Sequence, residues 1–437
     1  MHISSRLSAR RIALFSLPVV LFQAIEIAWR SYLPQHLTAN MGLSLAATGI
    51  LMMAMRSLDA VADPAMGWIS DHVETRYGRR RPWMMLGVPL IAIGSICLFA
   101  SGPGLPLFGI VLASVALHLG YSLILTPHGG WGLEIGRDTH ERTRLMSAKI
   151  WYASAGATAI LSIAALLERG FDFGKAAIAA ILGSIVALLA PLSVGPVVVL
   201  FRERTLPHRK AGGQSIRGSL RAIMSNPALR KPLALYLWLG IADASSATAF
   251  LFLSDNVLQL PGWGAALMLI QPVLVMMTLP LWTRASGHYG RERVLIWAYG
   301  WQFMVAPLAL WLPVGSLSAM IAYLLARNLV WGVDYALLRA MVADAADQDI
   351  RQGTSRSGLY YGLSSITLKL AMGLGASGTL WFISLSGFDA RSPFLPADAQ
   401  LAIRIAFAAP STIAAAAALK ILSSRRRTRH KMAPSVT

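Results

Sequence analysis

Three charged residues stand in an apolar stretch of the sequence at spacings that could create an ion-binding site. Asp59 and Asp63 are four residues apart, and Arg56 lies three residues before Asp59. On a helix these spacings place all three side chains on one face. Two carboxylates beside one guanidinium leave one negative charge uncompensated, which predicts a site for a proton or a monovalent cation. The alternative is structural: Arg56 pairs with Asp59, and Asp63 makes only a packing contact.

The segment that carries these charges belongs to an unusually apolar chain. Hydrophobic residues make up 55% of the 437 residues and charged residues 14%, whereas a soluble protein has about 25% charged residues. Stretches of about 20 apolar residues, enough for a helix to cross a bilayer, recur along the whole sequence. A charge in the middle of such a helix costs at least about 2.5–3.5 kcal/mol on insertion scales. Each one is therefore expected to have a partner or a function.

We predict an all-α integral membrane protein with twelve transmembrane helices in two halves. The longest polar stretch separates the halves. The predicted boundaries are residues 1–201 for the N-terminal half, 202–231 for a central loop, 232–422 for the C-terminal half and 423–437 for a basic tail.

The two halves repeat a short turn. Tyr77-Gly78-Arg79 follows the second predicted helix, and Tyr289-Gly290-Arg291 follows the eighth. Repeated halves are typical of transporters that bind substrate near the bilayer midplane. The sequence contains no P-loop, no H-E-x-x-H and no nucleophile elbow, so it favours a transporter over an enzyme and implies no cofactor.

The distribution of basic residues predicts the orientation. A formal charge of +19 could indicate a nucleic-acid-binding protein, but Lys and Arg concentrate in short stretches between alternate apolar segments. Such stretches mark the cytoplasmic side. We expect a multi-pass protein of the cell membrane, bacterial and inner, with both termini cytoplasmic and no nucleic-acid partner. The basic tail is interpreted as a topology and lipid-headgroup signal, and the single Cys97 excludes an internal disulfide framework.

Other polar residues in the apolar segments suggest a substrate site. Gln23 could bond a polyol, while Glu26 either contacts substrate or neutralises Arg30 four residues later. Lys149 lies near a helix end, where it either binds substrate or extends to the membrane surface. Lys369 lies in the middle of its segment, which favours a functional role.

One family matches these stretches. The sequence RSLDAVADPAMGWISDHVETRYGRRRPW resembles the helix-two signature of the glycoside–pentoside–hexuronide:cation symporters, the melibiose-permease group of the major facilitator superfamily. The stretch LEIGRDTHERTRLMSAKIWYASAG is similar to the family's loop between helices four and five. The stretch MVADAADQDIRQGTSRSGLYYGLSSITLKLAMGLGA is similar to its segment from helix ten into helix eleven.

The resemblance implies the major facilitator fold and cation-coupled uptake of a sugar or glycoside, driven by H⁺ or Na⁺. It implies a monomer surrounded by lipid and no metal beyond a Na⁺ at the two aspartates. The alternative is a facilitator-type transporter of an amphiphile, lipid or drug.

The residue types and the resemblance together predict roles for individual residues. The expected cation-binding residues are Asp59, Asp63 and Ser122. The expected substrate-binding residues are Gln23, Glu26, Lys149, Tyr335 and Lys369. The expected gating or structural residues are Arg56, Asp71, Arg79, Arg80, Arg81 and Arg142.

Two positions depart from the family pattern. Gln23 stands where well-known members have a sugar-binding aspartate, and Leu125 stands where they have a helix-four aspartate that serves sugar and cation. Na⁺ needs several oxygen ligands, whereas H⁺ needs one carboxylate that can be protonated. The sequence therefore favours H⁺ as the coupling ion. His128 is interpreted either as part of a proton path or substrate contact, or as a hydrogen-bonded packing residue.

Overall fold

The computed structural model describes residues 8–102, 104–135, 139–203, 226–351, 357–390, 392 and 395–430. Within these residues, twelve helices are long and apolar enough to cross a membrane. The regular structure there is helical apart from one isolated bridge between Thr75 and Gly78. The prediction of an all-α membrane protein with twelve transmembrane helices is confirmed.

The membrane-spanning helices are named α1 to α12 in chain order. The first six are α1 Ala9–Asn40, α2 Leu45–Ser70, α3 Arg81–Phe99, α4 Leu107–Gly132, α5 Ala148–Arg169 and α6 Lys175–Leu200. The second six are α7 Ala228–Val257, α8 Gly264–Tyr289, α9 Arg291–Trp311, α10 Leu317–Ala345, α11 Gly362–Ser384 and α12 Ala397–Ser423.

Several of these helices continue past the part that can span the membrane. The complete helices of α2, α4, α5, α11 and α12 are Leu45–His72, Leu107–Ile135, Thr139–Arg169, Ser357–Ser384 and Ala397–His430.

Several spans are irregular, among them α1 and α10. In α1 the α-helical pieces Ala9–Ser16 and Pro18–Ile27 are followed by π-helical turns at Ala28–Tyr32 and His36–Asn40. In α10 the helix stops at Asn328 and resumes at Val333. Irregular backbone at membrane depth is tolerated only where it is buried in protein or lines a cavity. The irregular turns of α1 and α10 are therefore places where polar groups are expected to lie close together.

The chain divides into two compact units. The first contains α1–α6 together with the segment Leu260–Val273, and the second contains the rest of α8 with α7 and α9–α12. Within the first unit the buried Glu168 carboxylate accepts a hydrogen bond from the Ala265 N–H at 3.1 Å and pairs with Lys175. This contact ties the segment Leu260–Val273 to α5.

The turn repeated in sequence has a common backbone geometry. Gly78 has φ +115° and Gly290 has φ +85°, values that favour glycine over other residues. In each unit an arginine just after the glycine bonds a helix carbonyl of its own unit. Arg80 donates to the Pro127 oxygen of α4 at 3.0 Å, and Arg291 donates to the Ala340 oxygen of α10 at 3.2 Å.

Candidate functional site

Two polar pairs join α2 to α4 inside the first unit. His118 Nδ1 lies 2.8 Å from Asp59 Oδ1, and the Ser122 hydroxyl donates to Asp63 Oδ1 at 2.6 Å. Both pairs are four residues apart on each helix, so the two helices run parallel and in register. We call Asp59, Asp63, His118 and Ser122 the acidic ladder. It lies near the middle of both spans, where charge is most costly.

Arg56 connects the acidic ladder to α1. Its guanidinium donates to both carboxylate oxygens of Glu26, at 2.8 and 3.3 Å, and to Asp59 Oδ2 at 3.3 Å. Arg56 is 4% exposed and Asp59 is fully buried. Charge-assisted, two-point contacts of this kind are strong and hold their partners in one geometry. Arg56 therefore neutralises charge on both α1 and α2.

The charges of this cluster do not cancel. Glu26, Asp59 and Asp63 supply three carboxylates, whereas Arg56 supplies one positive charge and His118 supplies a second only when protonated. With all carboxylates ionised, the five side chains carry an excess of one or two negative charges. Negative charge at this depth is costly, and binding a cation would lower the net negative charge of these five side chains.

A small cavity adjoins the ladder. It has a volume of about 10 Å³ and is lined in part by Glu26, Trp29, Arg56 and His118, which is close to the space that one water needs. Trp29 Nε1 and His118 Nε2 are buried with no hydrogen-bond partner among the described residues. Two residues that line the cavity, Trp29 and His118, therefore each have an unpaired buried nitrogen.

The substrate candidates of the first unit lie on α1 and α5. Gln23 is half-buried on α1. The Lys149 ammonium lies 5.3 Å from the centre of the Phe15 ring, and a Cβ built on Gly132 would lie 2.7 Å from Lys149 Nζ. Lys149 thus turns inward against α1 and α4, which argues against extension to the membrane surface.

His128 has the contacts of a packing residue. It is 1% exposed, its Nε2 lies 2.8 Å from the Phe15 carbonyl oxygen, and its ring stacks on Phe15 with centroids 4.6 Å apart. These contacts favour the structural alternative for this residue.

The substrate candidates of the second unit lie on α10 and α11. The Tyr335 hydroxyl donates to Asp243 Oδ2 at 3.1 Å, and Trp331 Nε1 donates to Asp243 Oδ1 at 3.3 Å. Lys369 is half-buried on α11. Arg339 of α10 is exposed.

The arginine run at the start of α3 surrounds a carboxylate that the sequence analysis did not identify. Glu203 accepts hydrogen bonds from the backbone N–H groups of Arg79, Arg80 and Arg81 at 2.6, 3.0 and 2.9 Å. A Cβ on Gly78 would lie 2.6 Å from the same carboxylate. Negative charge at a helix N-terminus is stabilising, so Glu203 fastens the segment after α6 to the start of α3.

The side chains of Arg80 and Arg81 make separate contacts in the first unit. Arg80 is 3% exposed, and its bond to Pro127 of α4 fills the space above Gly130, where a Cβ would overlap the guanidinium. Arg81 donates to the Phe201 carbonyl oxygen and lies 5.9 Å from the centre of the Trp131 ring. The side chains of Asp71 and Arg142 lie outside the described part of the chain.

Glu203→Ala is expected to lower stability by about 0.5–2 kcal/mol, the usual loss when a helix N-cap side chain is removed. The measurement is the Tm of the purified protein in detergent. Glu74→Ala is the matched control, because Glu74 is an exposed carboxylate near the same turn. Equal Tm values for Glu203→Ala and wild type would contradict the capping role.

His118 and Glu203 were the residues that sequence reasoning missed. His118 had a usable signal, because it stands four residues before Ser122, the same spacing as Asp59 and Asp63. Glu203 had none, since a glutamate in a basic loop is ordinary and its partners are backbone groups more than 120 residues away.

The model of the family described as MFS/sugar transport protein matches residues 14–424. A candidate glycoside/cation symporter of Escherichia coli K12, YagG, is 24% identical over 379 residues, covering 84% of this chain and 80% of that protein. The isoprimeverose transporter of Lactiplantibacillus pentosus is also 24% identical, over 82% of this chain and 77% of that protein.

Solved structures agree on the fold. The crystal structure of the nucleoside transporter NupG has a TM-score of 0.68 at 14% identity and covers 94% of this chain and 98% of that one. A bacterial homolog of the human lysosomal transporter Spinster has a TM-score of 0.67 at 14% identity, covering 96% of this chain and 98% of that one. The predicted major facilitator fold is confirmed. The chain belongs to the MFS/sugar transport protein family, which confirms the resemblance to the glycoside–pentoside–hexuronide:cation symporters carried by its motifs.

Proposed function

We propose that this protein is a symporter that carries a sugar or glycoside across the cell membrane together with H⁺, by alternating access. Family membership supports transport rather than enzymatic chemistry. The names of relatives support the substrate class, since they include a glycoside/cation symporter, an isoprimeverose transporter and a glucuronide carrier homolog.

The observation that carries the proposal is the acidic ladder itself. Asp59 and Asp63 lie near the middle of α2, where Asp59 contacts Arg56 and His118 and Asp63 accepts a hydrogen bond from Ser122. Ionisable groups at membrane depth are costly and are a strong indicator of function. Uptake of a proton removes one negative charge from the ladder, which lowers the cost of closing the protein around it in a low dielectric.

The contacts of Asp59 favour H⁺ over Na⁺. Hard metal cations are held by several oxygen ligands. Both oxygens of Asp59 already face positive or proton-bearing groups, namely Arg56 and His118. Leu125 places an apolar side chain on α4 where well-known members of the family have an aspartate. A proton needs one carboxylate oxygen and no cage, and Ser122 can remain bonded to Asp63 in either state.

The other predicted residues and segments are assigned roles in the same alternating-access cycle. Gln23, Glu26 and Lys149 are proposed to contact substrate from the first unit, and Tyr335 and Lys369 from the second. The halves 1–201 and 232–422 are proposed as the moving bodies of alternating access. The concentration of Lys and Arg in alternate loops supports cytoplasmic termini. The working unit is proposed to be a monomer surrounded by lipid.

Uptake into proteoliposomes with separately imposed H⁺ and Na⁺ gradients tests the proposal. Labelled glycosides, pentosides and hexuronides are offered in turn to the purified full chain. We expect one of these to accumulate under an inward H⁺ gradient with no Na⁺ present, and a Na⁺ gradient alone to give only equilibration. Accumulation under Na⁺ alone would overturn the choice of H⁺. Uptake of amphiphiles but no sugar would overturn the substrate class.

A further inference from the structure

The end of α5 is joined to the start of α8 by a buried carboxylate. Glu168 is 5% exposed and accepts a hydrogen bond from the Ala265 N–H at 3.1 Å. Ala265 is fully buried and lies in the first turn of α8, where backbone N–H groups have no partner within the helix. Lys175 at the start of α6 pairs with the same carboxylate. Glu168 therefore contacts α6 and α8 at once.

The next residue of α5 makes a second contact with the same segment. The Arg169 guanidinium lies 4.4 Å from the centre of the Trp263 ring, which is within cation–π range. Gly262 has φ +78°, and a Cβ built there would lie 3.4 Å from Arg169 Cδ and 4.0 Å from Glu168 Cγ. We call Glu168, Arg169 and residues 262–265 the α5–α8 latch.

The latch lies within the first unit but joins the two halves of the sequence. Glu168 and Ala265 are 97 residues apart, on either side of the central loop. The first unit includes Leu260–Val273, whereas α8 from Leu274 onward belongs to the second unit. The division between the units therefore falls inside one helix. If the halves rock against each other, α8 must either bend or separate from α5.

A bend in α8 has one place available near the latch. The helix runs over Gly264–Met268 and again over Ile270–Tyr289, with Leu269 between the two pieces. Pro272 has no N–H to donate to the carbonyl four residues earlier, which accounts for the interruption. Bending at Leu269 would let the latch stay closed throughout the cycle.

The contacts of the latch favour separation instead. Separation breaks the hydrogen bond from Ala265 to Glu168 and the contact of Arg169, which is exposed, with Trp263. Lys175 belongs to the same half as Glu168, so the carboxylate keeps this cation when Ala265 moves away. Removing the partner of a buried charge is strongly unfavourable, and this arrangement avoids it.

We propose that the α5–α8 latch is an extracellular gate contact, closed in this structure and released when the protein opens to the outside. The turns that it joins, 170–174 and 258–263, contain no Lys or Arg, and the proposed orientation places them on the extracellular side. The inference rests on the proposed alternating access and adds the contact that must break during it.

Cross-linking of engineered cysteines tests whether the latch must open. Both variants carry Cys97→Ser, which removes the single native thiol. Glu168→Cys with Ala265→Cys allows a bridge across the latch. Glu168→Cys with Lys175→Cys allows a bridge from the same α5 position to α6, within one half. A short reducible bifunctional thiol reagent closes each bridge in proteoliposomes, and H⁺-driven uptake of labelled sugar is measured before and after.

We expect the bridge between positions 168 and 265 to stop uptake and a reductant to restore it. The bridge between positions 168 and 175 should leave uptake unchanged, because it does not join the halves. Both variants lack the Glu168 carboxylate, so its loss is common to both. Unchanged uptake with positions 168 and 265 bridged would overturn the latch and assign the movement to a bend in α8.

Labelling of a cysteine in the latch gives a readout that needs no sugar transport. Ala265→Cys, again with Cys97→Ser, is treated in lipid vesicles with a membrane-impermeant maleimide. Since Ala265 is fully buried in the closed latch, labelling requires release. We expect slow labelling that becomes faster with Glu168→Ala and stays the same with Asp172→Asn, because Asp172 is exposed on the adjacent turn.

The labelling rates separate failure of the latch from failure of the proposed function. No labelling of Ala265→Cys, or the same rate with and without Glu168→Ala, would overturn the latch. The expected labelling pattern in a protein that takes up no sugar would support the latch and overturn only the proposed function.

Discussion

Asp59→Asn is expected to abolish H⁺-driven accumulation of the sugar while leaving a folded protein. The amide has nearly the shape of the carboxylate but no negative charge, so the ladder loses the carboxylate that contacts both Arg56 and His118. A loss of coupling worth 1.4 kcal/mol already reduces accumulation about tenfold, and we expect at least that. The measurement is uptake in proteoliposomes under an inward H⁺ gradient.

Asp63→Asn is the second test variant of this prediction, and Glu74→Gln is its control. Asp63 keeps its bond to Ser122 if the amide oxygen accepts it, so its variant should fold and lose accumulation as Asp59→Asn does. Glu74 is exposed just beyond the same helix, and Glu74→Gln should accumulate sugar normally. Sugar exchange without a gradient serves as the readout for folding and binding. Undiminished accumulation in both aspartate variants would exclude the ladder as the coupling site.

Arg56→Met is expected to give the largest loss of stability, about 3–5 kcal/mol, the usual result of removing one partner from a buried ion pair. The substitution keeps much of the apolar volume but leaves Glu26 and Asp59 without their shared guanidinium. Both carboxylates then lose their charge-assisted contact with this guanidinium. The Tm of the detergent-solubilised protein measures this effect.

A double variant separates the effect of charge on Tm from the effect of packing. Glu26→Gln removes the carboxylate that receives two of the three Arg56 bonds, so Glu26→Gln combined with Arg56→Met should recover part of the lost Tm. Arg56→Lys restores the charge without the two-point geometry and should fall between wild type and Arg56→Met. A Tm for Arg56→Met equal to that of wild type would show that the guanidinium does not hold α1 to α2.

Much of the fold was predictable because lipid imposes simple rules. Every backbone group must be satisfied inside the segment, so apolar stretches of sufficient length had to be helices, and the structure has twelve of them. The repeated Tyr-Gly-Arg turn was predictable for a local reason. Gly78 and Gly290 have backbone angles that favour glycine, and the arginines that follow reach carbonyls of α4 and α10.

The interruption of α10 was not predictable, because the stretch 317–345 is apolar enough to be read as one continuous helix. Gly332 was the available signal, but an isolated glycine is common in membrane helices. Trp331 and Asp334 gain their position from this break. The hydrogen bonds of Trp331 and Tyr335 to Asp243 therefore appeared only with the structure.

The part of the acidic ladder that lies on α2 was predictable from the sequence. Helical spacing placed Arg56, Asp59 and Asp63 on one face, and they do lie together. Partners on other helices depend on how helices pack, which spacing alone does not determine. The contact of Asp59 with His118 and the bond of Arg56 to Glu26 both belong to that class.

Proton movement that accompanies sugar entry is the most direct test of H⁺ coupling at the acidic ladder. Proteoliposomes in Na⁺-free medium are given the transported sugar, and the external pH is followed with a dye. Wild type is predicted to make the medium more alkaline as sugar enters, whereas Asp59→Asn and Asp63→Asn give no change and Glu74→Gln behaves as wild type. Sugar entry by wild type without alkalinisation, or unchanged alkalinisation in both aspartate variants, would contradict H⁺ coupling through Asp59 and Asp63.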